Sequence, residues 1–281
     1  DGPAWPWATA WPSWAPGSVI GPNLMAPALV LGAWLSVPAT ASAFLVSVAS
    51  YGVAGLLITL LLRPDPLVIA RASHAAVETG RAAAPGRTLG AILGDVRVQI
   101  ALTTLSVSQF VMISTTSTSP LYLHDQGHTV GTIGLAVSLH LGGMYVTSPL
   151  SGWLADRFGR LPVITAGALL LIFAVGLAGL APGDAGATII LGLFLNGVGW
   201  NLAFVSGSAL LTDALSPAER ASVQGFADLL MGLMGAIGSA AGGMILGLWG
   251  FAILNAVGAL LVLGPLAVAL RRRPVLAVTK G

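Results

Sequence analysis

Long apolar runs alternate with short polar breaks along almost the whole chain. Runs of this kind fall at 17–37, 42–62, 98–119, 129–154, 162–180, 187–211, 222–246 and 249–270. A membrane helix needs about 20 mostly apolar residues, and each run supplies roughly that number. The pattern predicts an all-α polytopic membrane protein with about eight transmembrane helices. The longest polar break, 63–97, contains RPDP and GRAAAPGR and room for a short amphipathic helix, and it reads as a linker. The predicted organisation is a leader (1–16), two helices (17–62), the linker (63–97), a six-helix bundle (98–270) and a basic tail (271–281).

Composition agrees with lipid as the solvent. Charged residues make up 8% of the chain, hydrophobic ones 56%, and mean hydropathy is +0.89. A soluble domain carries roughly 25% charge, more than this chain offers for a polar surface. The net charge of +2 gives no footprint for nucleic acid, and the absence of cysteine excludes disulfides and thiolate chemistry. The leader, DGPAWPWATAWPSWAP, holds four prolines, and that density breaks a helix.

The placement of positive charge supports the span assignment. Arg63, Arg71, Arg81, Arg87 and Arg97 lie in or beside the linker. Arg157 and Arg160 lie between the fourth and fifth runs, Arg220 between the sixth and seventh, and Arg271, Arg272, Arg273 and Lys280 in the tail. Eight alternating spans put all twelve on one side, which the positive-inside rule makes cytoplasmic. The expected location is a bacterial inner membrane, with linker, hairpin and C-terminus inside.

The hairpin itself reads SGWLADRFGR, residues 151–160. Glycines allow a tight turn and close helix approach. Asp156 is positioned to cap the positive end of a helix starting near Pro162. Gly152, Asp156, Arg157, Gly159 and Arg160 fall on the pattern G-x-L-A-D-R-x-G-R, and the stretch resembles the signature of the major facilitator superfamily. In that family the signature joins the second and third helices of a half, its place after the linker here. The basic residue usual after the last arginine is Leu161. The resemblance implies a secondary transporter built from two six-helix halves.

A second stretch, GSVIGPNLMA (17–26), is similar to the G-x-x-x-G-P-x-x-G-G motif in the fifth helix of the superfamily's proton-coupled antiporters, through Gly17, Gly21 and Pro22. Met25 and Ala26 replace the last two glycines. The two readings are a bent helix packed between halves and ordinary small-residue packing. The resemblance implies an N-terminally truncated chain, holding the last two helices of one half and all of the other, with 1–16 non-native or out of frame. The segments 119–128, 138–160 and 208–232 also resemble bacterial efflux-type members. LGAW (31–34) and LGLW (246–249) rhyme as repeated halves would.

Polar groups inside spans are costly and mark function or helix contacts. His140 is deep in its run and changes charge near physiological pH, as proton coupling requires; the alternative is a histidine bonded to a neighbouring helix. Asp228 is either a second proton site or an anchor to Arg220 or the hairpin. Gln109, Asn196, Trp200 and Asn201 are candidates to line a substrate path, or to join helices. The hydroxyl run ISTTSTSP (113–120) lines a cavity or satisfies backbone groups before Pro120. His124 and His128 flank Asp125 in an outer loop that has no third metal ligand in view.

No nucleotide loop or catalytic triad is present in the sequence, so the expected energy source is an ion gradient, with no cofactor. The function that the resemblance implies is proton-coupled antiport of a small molecule, a drug or metabolite, for export. Partners are the substrate, protons, the lipid bilayer, and a missing N-terminal half or second copy. The alternatives are a truncated or partner-dependent half-transporter without independent activity, a non-transporting sensor or scaffold, and a membrane-embedded enzyme.

Overall fold

The computed structural model describes residues 20–61 and 87–278. The leader 1–16, Gly17 and most of the linker lie outside the described residues. Two units are distinguished, one of residues 23–86 and one containing 87–281, and each is taken by itself.

In the smaller unit, α1 (Met25–Trp34) follows a 3-10 turn at Gly21–Leu24, and α2 (Ala39–Leu61) packs beside α1. Gly32 sits directly against Ser42, whose hydroxyl donates to the Pro38 carbonyl at 3.1 Å. Leu56, Leu57, Leu60 and Leu61 of α2 all face outward.

The larger unit starts with α3 (Leu89–Gly94), α4 (Val96–Asp125), α5 (Val130–Tyr145) and α6 (Ser148–Phe158). It continues with α7 (Arg160–Leu180), α8 (Gly186–Asp213) and α9 (Pro217–Val278). Local chemistry sets several starts: Asp95 caps α4 through Arg97 N at 2.9 Å, and Thr129 caps α5 through Thr132 N at 3.2 Å. Gly250 (φ 84°, ψ 174°) breaks α9 into two helices, a conformation essentially confined to glycine. Leu169, Phe173 and Leu180 of α7 are exposed, as they would be toward lipid and not toward water.

Among the described residues, six helices are long and apolar enough to cross a membrane. The difference from the eight expected has two physical sources. The last two expected spans are the arms of α9 on either side of Gly250. The first expected span, 17–37, has helical residues only to Trp34, and α1 is ten residues long, too short to cross alone. The expected span 129–154 is interrupted at 146–147, where Ser148-Pro149 starts α6. α4 runs through Pro120 to Asp125, beyond the expected end, and α9 stays helical to Val278.

Hydrophobicity does not separate helix contacts from lipid contacts, so close packing decides how the bundle fits. At the α5–α8 crossing, a Cβ on Gly143 would lie 2.5 Å from the Phe194 carbonyl, and one on Gly197 would be closer still to that of His140. Backbone therefore touches backbone beside the candidate site.

Candidate functional site

His140, on α5, is fully buried. Its Nδ1 lies 2.8 Å from the Leu193 carbonyl of α8, and its Nε2 lies 3.1 Å from the Thr116 hydroxyl of α4. A carbonyl only accepts, so Nδ1 carries the proton and donates. In the neutral ring Nε2 is then the acceptor for the Thr116 hydroxyl. The arrangement serves both protonation states, because the hydroxyl can donate to a bare nitrogen or accept from a protonated one.

Thr116 is the exception in its hydroxyl run. Ser114, Thr118 and Ser119 bond back to carbonyls on their own helix, and Thr115 crosses to Asn255 Oδ1 at 3.3 Å. The run thus mostly satisfies backbone groups ahead of Pro120, and Thr116 alone reaches the histidine.

Gln109 and Trp200 meet: the indole N–H donates to Gln109 Oε1 at 2.9 Å. Trp200 stacks on Phe204 (centroids 4.7 Å, 8° between planes) and meets Tyr145 edge-on at 6.5 Å. Gln109 lies seven residues before Thr116, two turns down the same face of α4. Gln109 therefore joins three aromatic rings from the α4 face that also carries Thr116.

Asn201 points elsewhere. Its Nδ2 donates to the Met144 carbonyl at 2.5 Å and to Ser148 Oγ at 2.8 Å, while Oδ1 accepts from Ser151 and Thr147. The whole amide is spent across the α5–α6 break, joining it to α8. Asn196 is buried, and neither side-chain atom has a partner among the described residues.

Asp228 is exposed and accepts from Gln224 Nε2, one turn earlier, at 3.0 Å. This corrects the expected anchoring to Arg220 or the hairpin, because no ion pair to Asp228 occurs among the described residues. Arg220 lies eight residues away, about 12 Å along the helix and turned off Asp228's face.

In the hairpin, Gly159 (φ 91°, ψ 159°) reverses the chain in a single residue, and α7 begins at once at Arg160. The expected cap by Asp156 is therefore corrected: no side chain caps α7. Asp156 instead accepts from Arg160, whose Nε also donates to Asp213 Oδ2 of α8 at 3.2 Å. A guanidinium one turn away is the stronger partner for a carboxylate. Arg157 is exposed and Gly152 half-buried.

Sequence reasoning missed a second ionic cluster at the same end. Glu219 is buried and takes three hydrogen bonds from Arg87, from its backbone N (2.8 Å), Nε (3.0 Å) and Nη2 (3.0 Å). Glu219 also accepts from Ser216 N at 2.9 Å, closing one arm of a capping box that Ser216-Pro-Ala-Glu219 spells out. Arg87 extends to the Ala214 carbonyl and to Asp95. Burial pushes the Asp95 carboxyl up, but hydrogen bonds from Arg97 and the charges of Arg97 and Arg87 outweigh it and hold it below the ordinary carboxylate value.

At the opposite end, His128 Nε2 donates to the Gly183 carbonyl at 2.9 Å, and its ring packs on Gly186, while His124 and Asp125 are exposed. Gly21 begins its 3-10 turn, and a Cβ there would meet open space. No tight packing occurs at that position. Pro22 lies within the same turn.

The family model for the Major Facilitator Superfamily matches residues 123–280. YdeG of Bacillus subtilis, an uncharacterized MFS-type transporter, is 35% identical over 254 residues, covering 88% of this chain and 57% of YdeG. Riboflavin transporter RfnT of Brucella anthropi is 32% identical over 149 residues, 52% of this chain and 36% of RfnT. Multidrug resistance protein MdtL of Klebsiella pneumoniae is 33% identical over 104 residues, 37% of this chain and 26% of MdtL. A hairpin with this signature, inside an all-helical bundle of membrane length, belongs to a class of membrane transporters. The chain is a member of the Major Facilitator Superfamily, whose members are transporters and not enzymes. It spans little more than half the length of the relatives that it matches over most of its own residues.

Proposed function

We propose that the chain forms part of a proton-coupled antiporter that exports a small molecule. The observation that supports this most is His140: a titratable group buried within the bundle, held at both ring nitrogens in a geometry that fits either protonation state. Gln109, Trp200 and the stacked Phe204 offer a mostly apolar, partly polar wall suited to a planar or amphipathic substrate. The similarity to MdtL, whose name records multidrug resistance, and to RfnT, whose name records riboflavin transport, agrees with a small organic substrate.

In this reading Arg160, Asp156 and Asp213 latch the cytoplasmic end, and Asp228 is a second proton or substrate contact on an exposed face. The linker, the hairpin and the C-terminus face the cytoplasm of a bacterial inner membrane. Alternating access needs two bundles rocking about a central site. The six-helix bundle therefore works against a second bundle.

The test is uptake by proteoliposomes under an imposed pH gradient, with riboflavin and a planar aromatic dye as probes. Accumulation of either probe that collapses when a protonophore dissipates the gradient is expected. Accumulation that survives the protonophore, or none for either probe, would remove the antiport reading.

A further inference from the structure

His140 has no exposed surface, so a proton reaches it only through a neighbouring group. His140 touches two polar groups, the Leu193 carbonyl and the Thr116 hydroxyl. A carbonyl fixed on a helix accepts a hydrogen bond but passes no proton on. Thr116 is half-buried, and it lies on the face of α4 that also carries Gln109. We propose that the Thr116 hydroxyl is the proton relay for His140, so that protons enter and leave the buried ring through the substrate-facing side of α4. The proposal rests on the proton-coupling reading of His140 and deepens it.

The step balances without any further reactant. In the neutral state Thr116 O–H donates to Nε2. A proton delivered by water to Thr116 Oγ is matched by transfer of the hydroxyl's own proton to Nε2, which leaves an imidazolium and a neutral hydroxyl. The new Nε2–H then donates to Oγ, and the hydroxyl proton turns outward. Deprotonation is the same exchange in reverse. Throughout, Nδ1 stays bonded to Leu193, so the ring need not flip.

Other titratable groups on these elements lie toward their ends. α4 carries Arg97 near its start and Tyr122, His124 and Asp125 near its finish; α8 carries only Asp213, at its last position; α5 carries Tyr145 beyond His140. Among the described residues, the polar contacts of the ring are Thr116 and Leu193. A ligand lying along Gln109 and Trp200 also covers the approach to Thr116, two turns further on. Substrate and proton thereby exclude one another at one surface, which is the exchange that an antiporter requires.

The experiment follows His140 protonation directly in the full chain in lipid nanodiscs. Histidine ring bands are recorded by time-resolved infrared spectroscopy after a pH jump, and H140Q identifies the His140 contribution. Thr116→Val and Thr116→Ala remove the hydroxyl, one keeping the shape and one adding no bulk, and Thr116→Ser restores it. Protonation slowed by at least about tenfold in both hydroxyl-free variants, with T116S at the wild-type rate, is expected for loss of a positioned proton carrier. Wild-type rates in T116V or T116A, or a T116S as slow as T116V, overturn the relay while leaving His140 as the proton site. A wild-type His140 that shows no change between about pH 5 and 9 overturns the proton-coupling reading, and the relay with it.

Discussion

Arg87 and Glu219, 132 positions apart in the chain, meet through three hydrogen bonds that use both carboxylate oxygens of Glu219. Glu219 is buried, so the contact ties the segment before α3 to the α8–α9 turn, and without its carboxylate the Arg87 backbone N–H and Nε lose their partner. Glu219→Gln is expected to lower the thermal unfolding midpoint by several degrees and Glu219→Ala by more, followed by circular dichroism in nanodiscs. An E219A midpoint equal to wild type would show that the cluster carries no stability.

Asp95 gives this end of the bundle a pH dependence. Its folded carboxyl sits below the ordinary value, so its contribution is present above the unfolded carboxylate's value and is lost as pH falls through the folded one. Melting midpoints should therefore hold near neutrality and drop below about pH 4, and Asp95→Asn should flatten part of that drop. An acid limb unchanged in D95N would contradict the assignment.

The two buried asparagines of α8 should respond in opposite ways. Asn201 satisfies a backbone carbonyl and three hydroxyls at the α5–α6 break, so Asn201→Leu strands buried polar groups and is expected to cost about 1–3 kcal/mol. Asn196 has no partner to lose, so Asn196→Leu is expected to be neutral or stabilising. Denaturant titration of both variants in micelles checks the pair. A destabilised N196L would point to a bound group on that amide.

Much of this architecture was legible in the chain. Apolar runs near the length of a bilayer locate most of the helices, and Gly159 within a D-R-x-G-R run marks the hairpin. The missed features depend on direction as well as residue type. Asn201 reads as a pocket amide until the break at 146–147 turns Met144 and the Thr147-Ser148 hydroxyls toward it; Pro149 was the local sign of that break. Asp156 reads as a helix cap until Gly159 starts α7 at Arg160 and brings a guanidinium alongside. Thr116 stands among other hydroxyls in its run, and only the placing of α5 beside α4 distinguishes it. The pairing of Arg87 with Glu219 spans too much chain for any local pattern, although the capping box around Glu219 was there to be read.

Glycine substitutions separate packed positions from empty ones. Gly143→Ala forces a methyl against the Phe194 carbonyl, and Gly159→Ala places a side chain at φ 91°. Each is expected to destabilise by about 1–3 kcal/mol. Gly176→Ala meets no atom within 4 Å and should be silent or slightly stabilising. A G143A variant as stable as wild type would mean that the α5–α8 contact is looser than backbone-to-backbone.

The most direct test of proton exchange at His140 is proton release on ligand binding. Purified chain in weakly buffered detergent is mixed with a probe that it binds, and a pH-sensitive dye records the protons set free. Release of up to about one proton per bound ligand is expected in wild type, and none from H140Q that still binds the probe. Equal release from H140Q and wild type would contradict exchange at His140 and move the proton site elsewhere, with Asp228 the next residue to change.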